Sequence, residues 1–357
     1  MTRSLSTALF SLLFLSLSAQ KNDTTEAKPK VEFSGFVDVY FAVNTDGQLG
    51  ASDLFYNHTR RQEFNVNLAL ARASYETDKF RANLGLMTGT YAGTSLAHEP
   101  AFLQNLWEAN VGVKLGKGLW LDAGVFPSHL GFESAISTDN LTLTRSLVAE
   151  NSPYYLAGAN LTYAPNDQWT FLLNVSNGWQ VMYNPDGHLG FGTQIQFTPN
   201  ENWTFNSSTY FNRETSAFYN PLFFHDFYVT LDQDKNHLVG CFDIGMNQHK
   251  VTDDIQNWYG LAFIYARDLS EKLSLGLRGE YYTDGTSNLY VPQNIGYASN
   301  ITSASLNLDV NIQEGVMFRL EGKYLYREEV FAPNILPIAP PRTESYVLVF
   351  ASLAANF

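Results

Sequence analysis

The sequence is poor in the features that build a soluble, disulfide-stapled enzyme. It holds one cysteine, Cys241, in 357 residues, so neither a disulfide framework nor a cysteine metal knuckle can form. Charged residues make up only 16% of the chain, against roughly 25% in soluble domains. Basic residues are the scarcer sign: 22 Lys and Arg against 35 Asp and Glu leave a net charge of −13, which argues against a nucleic-acid partner. No stretch reaches the roughly 18 consecutive apolar residues of a helical membrane span. Hydrolase and metalloprotease spacings such as G-x-S-x-G and H-E-x-x-H are missing too. These gaps point away from catalysis, and neither cofactor nor metal is expected.

Aromatic residues, by contrast, are abundant. Phe (26), Tyr (20) and Trp (6) reach 15% of the chain, yet the mean hydropathy is −0.17. An apolar, aromatic outer face and a polar inner face average out in this way in a β-barrel set in lipid. The N-terminus fits export. Arg3 precedes the apolar run Ala8 to Leu17, and Ser18-Ala19-Gln20 offers a small-residue cleavage site. Residues 1–19 read as a signal peptide, 20–30 as a polar linker, and 31–357 as one membrane domain.

A turn-and-strand unit occurs twice. Pro165-Asn166-Asp167-Gln168-Trp169-Thr170-Phe171 is matched by Pro199-Asn200-Glu201-Asn202-Trp203-Thr204-Phe205. Pro presets φ, Asn bonds its own backbone, and the Trp opens a run with period two rather than 3.6. Runs of this kind fill the chain. Phe80, Ala82, Leu84 and Leu86 alternate with Arg81 and Asn83; Val316, Phe318 and Leu320 alternate with Arg319, Glu321 and Lys323. Strand two is read with Phe64, Val66, Leu68 and Leu70 outside and a bulge near Arg72 to Tyr75. Short turns alternate with long loops along the chain. The fold class is therefore all-β: an up-and-down antiparallel transmembrane barrel of about 16 strands, with 14 or 18 still open. Its last strand ends on Phe357, which resembles the sorting signal read by the outer-membrane barrel-assembly machinery.

The inner phase collects charge: Asp38, Arg81, Glu108, Asp122, Arg278, Glu280, Arg319, Glu321 and Lys323. These could set a transverse field across a pore, or form solvated pairs with no role in selectivity; the second is the simpler reading. Trp107, Tyr155, Tyr163, Trp169, Trp203, Trp258 and Tyr326 read as interface girdles. The polar stretch from Phe126 to Tyr155 is too long for a hairpin turn. It either folds into the barrel, placing Glu133, Asp139, Arg145 and Glu150 against solute, or lies over the mouth. The nearest approaches to a catalytic cluster are His98-Glu99, His129 with Glu133, and His225-Asp226.

Residues within this region carry a resemblance. The runs Trp107 to Gly112, Leu121 to His129, Gly131 to Ser137, Leu143 to Ser146 and Ala149 to Tyr155, with Ser34 to Tyr40 and Arg81 to Leu84, resemble the OmpL-like β-barrel porin family of Gram-negative outer membranes. The resemblance implies a porin-like barrel and assigns no catalytic or ligand residue. The expected function is passive diffusion of small hydrophilic solutes. A barrel enzyme acting on lipid or glycan, or a plugged structural or adhesion barrel, is the alternative. Expected partners are outer-membrane lipids, the assembly machinery and the solutes, with a homo-oligomer left open.

Overall fold

The computed structural model describes residues 31–47, 49–51, 54–185, 187–212, 219–249, 255–284, 297–331 and 343–357. The proposed signal peptide and linker lie outside them. Sixteen strands form the barrel: β1 Val31–Asn44, β2 Phe64–Glu76, β3 Phe80–Thr88, β4 Leu106–Gly116, β5 Leu119–Pro127, β6 Tyr155–Asn166, β7 Trp169–Ser176 and β8 Gly190–Asn200. The second half comprises β9 Trp203–Asn212, β10 Tyr219–Gln233, β11 Asn236–His249, β12 Ile255–Asp268, β13 Leu273–Asp284, β14 Tyr297–Gln313, β15 Val316–Phe331 and β16 Thr343–Asn356. Each strand pairs antiparallel with its neighbour in sequence, and β1 pairs with β16 to close the sheet. Closure satisfies the backbone within the sheet, as a lipid environment demands.

Sequence chemistry explains the turns and the seam. In both copies of the repeated turn one Asn carboxamide oxygen caps two backbone N–H groups. Asn166 accepts from Gln168 and Trp169 at 2.9 and 3.1 Å, and Asn200 from Asn202 and Trp203 at 3.0 and 3.2 Å. Trp169 then stacks on Phe197 at 4.3 Å, and Trp203 on Phe205 at 5.6 Å, an aromatic band at the rim of short turns. At the seam Gly35 and Phe357 exchange two backbone hydrogen bonds of 2.7 and 3.0 Å. The Phe357 ring lies where a Cβ on Gly35 would sit, so glycine makes room for the terminal side chain.

Leu84, Leu86, Val111, Leu173, Phe191 and Phe263 are exposed on the outer face, which is the lipid-facing band. The bulge in β2 corrects the expected phase. Asp38 pairs with Leu68 but Val39 with Val66, so Asn67 is the extra residue. Beyond it the faces exchange: Leu68 and Leu70 are buried inside, Ala71 is exposed outside, and Arg72 turns inward onto Glu108. Three of the seven expected girdle residues are corrected as well. Trp258 is 1% exposed in an inner apolar cluster, Tyr155 is buried beneath the outer loops, and Trp107 packs beside Tyr91. Each follows a strand across the level where loops fill the barrel, so its ring meets protein rather than lipid.

Candidate functional site

Period-two strands deliver charge to the lumen, and the long β5–β6 loop decides what happens to it. The loop enters the barrel and runs along the wall. His129 docks on β8 and β9, where Gln194 and Ser208 each donate to its carbonyl at 3.1 Å. Phe132 meets Tyr228 of β10 at 5.9 Å. Val148 fills the space left by Gly260 of β12, and Gly276 of β13 admits the Leu141 carbonyl. Further along the wall, Leu143 N–H donates to Asn307 of β14 at 3.0 Å and Thr144 N–H to Glu321 of β15 at 2.6 Å. Ser137, in a short 3-10 turn, donates to Asp38 of β1 at 2.9 Å.

The loop buries a charge network on β13 and β15. Arg278 lies 2.8 Å from Glu321 and 3.2 Å from Glu280, and Lys323 lies 2.6 Å from Glu280. All four side chains are fully buried, with 0% exposure. The loop supplies the remaining partners. Arg278 donates to the Thr144 carbonyl at 2.5 Å and to the Thr142 and Thr144 hydroxyls at 2.8 Å; Leu147 N–H donates to Glu280 at 2.6 Å; Glu133 stands 3.8 Å from Arg278. Buried ions persist only when paired and hydrogen-bonded in this way. Below them Arg319 forks onto Asp309 at 2.7 and 2.9 Å and donates to the carbonyls of Ser137 and Asn140.

A second charge set lies on β2–β5. Arg81 grips Asp122 through two bonds of 2.6 and 2.5 Å and lies 4.4 Å above the Trp120 ring; Arg72 bonds Glu108 at 2.7 Å. Here the arginines keep 31% and 34% of their side chains exposed. Asp139 of the loop is within electrostatic reach of Arg72. Burial pushes the Asp139 carboxyl up, and a hydrogen bond from Ser134 and then the charge of Arg72 pull it part of the way back.

The other two loop candidates sit higher. Ser146 caps the short helix α1, Leu147–Glu150, by accepting from Ala149 N–H at 3.3 Å. Arg145 stacks on the Tyr154 ring at 3.7 Å and donates to the Ala149 carbonyl at 2.7 Å. Glu150 accepts from Tyr56 N–H at 2.7 Å and Tyr154 O–H at 3.0 Å, fastening the β1–β2 loop onto the inner loop. Burial raises the Glu150 carboxyl and lowers His129 to about 4, leaving that imidazole neutral.

A family model described as "Putative beta-barrel porin-2, OmpL-like" matches residues 30–357. The chain belongs to the OmpL-like β-barrel porin family. Solved structures agree on the fold. An anion-selective porin from Comamonas acidovorans superposes with a TM-score of 0.61 at 9% identity, covering 92% of this chain and 100% of that one. Pseudomonas putida OprB gives 0.60 at 10%, covering 92% and 94%, and a loop-deletion mutant of Vibrio cholerae OmpT gives 0.60 at 10%, covering 92% and 99%. At these identities the likeness shows the fold alone. No curated protein matches the chain significantly.

In this OmpL-like barrel the proposed enzyme clusters come apart: the His129 ring meets the Thr209 carbonyl at 3.4 Å, while Glu133 accepts from Ser146 N–H at 2.8 Å. His225 stands between the inward Phe224 and Asp226, both fully buried, so it faces the opposite side of the sheet from Asp226. His98 is exposed at the outer mouth while Glu99 is buried, accepting from Met182 N–H and Tyr155 O–H at 2.6 and 3.0 Å. Of the lumen charges, Arg278, Glu280, Glu321 and Lys323 come together with Glu133 and the other loop groups; Arg81 and Asp122 form a separate pair. Two participants, Arg72 and His58, were not anticipated. Arg72 was hidden by the β2 bulge, and His58, 2.9 Å from Asp38, reaches it from a loop. Asp226 and Asp243, opposite each other on β10 and β11 with Cys241 between, form a buried carboxyl cluster. Alternation on both strands was the only available signal for that pair.

Proposed function

We propose that this outer-membrane barrel is a channel for passive diffusion of small hydrophilic solutes, with its water path along the β2–β5 side of the lumen. The carrying observation is the partial exposure of inward Arg72, Arg81 and Asn83, opposite a loop that contacts the wall from β8 round to β1. Asp139 on the loop and the two arginines on the wall make the constriction, with charge of both signs setting ion preference. Glu133, Arg145 and Glu150 serve instead to hold the loop in place. A plugged barrel is the second reading, favoured by the interlock of Glu150 with Tyr56 and of Glu99 with Met182 at the outer mouth.

Export by residues 1–19, a linker at 20–30 and recognition of Phe357 by the assembly machinery complete the proposal. A homo-oligomer has its own test in the mass of the detergent-solubilised particle. Purified, folded protein in planar bilayers should give discrete conductance steps whose ion preference moves toward cations in Arg81→Glu. A silent bilayer would favour the plugged barrel, and glycan or lipid hydrolysis would revive the enzyme.

A further inference from the structure

A cleft of about 260 Å³ opens among the outer loops that join β1 to β2, β3 to β4, β5 to β6 and β7 to β8. Tyr56 and Trp179 contribute rings, Glu150, Asn151, Ser152 and Thr94 contribute polar groups, and the exposed His98 imidazole also lines the cleft. The protons of these polar groups are spent elsewhere. Thr94 donates its hydroxyl to the Thr90 carbonyl at 2.8 Å, Ser152 to the Ala149 carbonyl at 3.1 Å, and Asn151 its amide to the Leu147 carbonyl at 2.7 Å. The carboxamide oxygen of Asn151 is buried and has no partner among the described residues, in a side chain that is 8% exposed. Away from His98, whose imidazole offers both a donor and an acceptor, the cleft therefore presents acceptors, a carboxylate and aromatic faces, and asks for a ligand that brings N–H donors.

We propose that this cleft binds a small primary ammonium solute, with Glu150 as counter-charge, the Asn151 oxygen as second acceptor and the Tyr56 and Trp179 rings as walls. An ammonium offers three donors, no acceptor, and a charge that aromatic faces attract. Arg145 stacks behind the Tyr154 ring rather than lining the cleft. Burial holds the Glu150 carboxyl above its ordinary range although Arg145 and Lys323 already offset part of its charge, so a ligand cation would add to a field that those two side chains begin. Because Glu150 also fastens the β1–β2 loop to the inner loop, an occupant would compete for the same oxygens. The site does not require the barrel to conduct.

The test uses the full folded barrel in detergent and ligand-observed NMR. The probes are n-butylammonium, n-butanol and butyrate, which share a chain and differ in the head group. Saturable binding of n-butylammonium, at least about ten-fold tighter than either control, is expected from one charge-assisted contact. Glu150→Gln should weaken it about ten-fold, and Asn151→Asp, which puts a second carboxylate at the unpartnered oxygen, should tighten it. Absence of saturation, equal binding of butanol, or affinities unchanged in both variants would overturn the proposal. If Glu150→Gln fails to fold, Asn151→Asp decides alone: tighter binding supports the site, and unchanged or weaker binding removes it. Conductance in bilayers is a separate readout, so failure of the channel leaves this result intact.

Discussion

Two sides of one lumen carry the same kinds of residue in opposite states. On β13 and β15, Arg278, Glu280, Glu321 and Lys323 are sealed from water and bonded to the inner loop. On β2–β5, Arg72 and Arg81 hold their carboxylates while a third of each side chain stays exposed. The strands are alike; the difference is the loop. Where it docks, charge becomes anchorage, and where it stands off, charge becomes a surface that solute can meet.

The largest effect should come from breaking the sealed side. Arg278→Met leaves Glu280 and Glu321 short of a buried cation, which costs about 3–5 kcal/mol. The unfolding midpoint in urea should fall accordingly, and a midpoint unchanged from wild type would show that the network is hydrated. Acid sharpens the contrast next. His129 is held neutral, its pKa lowered to about 4 from an ordinary 6.5. Its contribution is complete above the ordinary value and is lost as pH falls through about 4, because the released loop binds the proton more readily. The expected loss is on the order of 3 kcal/mol. The drop in midpoint between pH 7 and pH 4 should shrink in His129→Gln; an equal drop in both would assign the acid effect to other groups. The smallest stability effect belongs to the exposed side. Arg81→Met should cost roughly 0–1 kcal/mol, as half-exposed pairs do, yet shift the reversal potential in a salt gradient.

Much of the barrel was legible in the sequence because period two is a strong local signal. Phe80 to Leu86 and Val316 to Lys323 show their faces directly, and the Asn166 and Asn200 turns name their own geometry. The β2 phase was not legible. One extra residue at Asn67 exchanges the faces, and nothing in Leu68-Ala69-Leu70-Ala71 distinguishes either choice. The loop residues Glu133, Asp139, Arg145 and Glu150 stood out as charges in a long segment. Their different surroundings depend on partners such as Arg278, Arg72, Tyr154 and Tyr56, distant in sequence. Trp258 and Trp107 misled for the same reason: a strand does not record the height at which a loop fills the lumen.

The division of the lumen has one direct test. In a Cys241→Ser background, Asn83→Cys on the exposed side and Asn307→Cys on the sealed side are treated with a charged, water-soluble thiol reagent while single channels are recorded. Rapid loss of conductance at Asn83→Cys, with none at Asn307→Cys, is the expected result. Block at Asn307→Cys with Asn83→Cys unaffected would place the water path on the wrong side and contradict it.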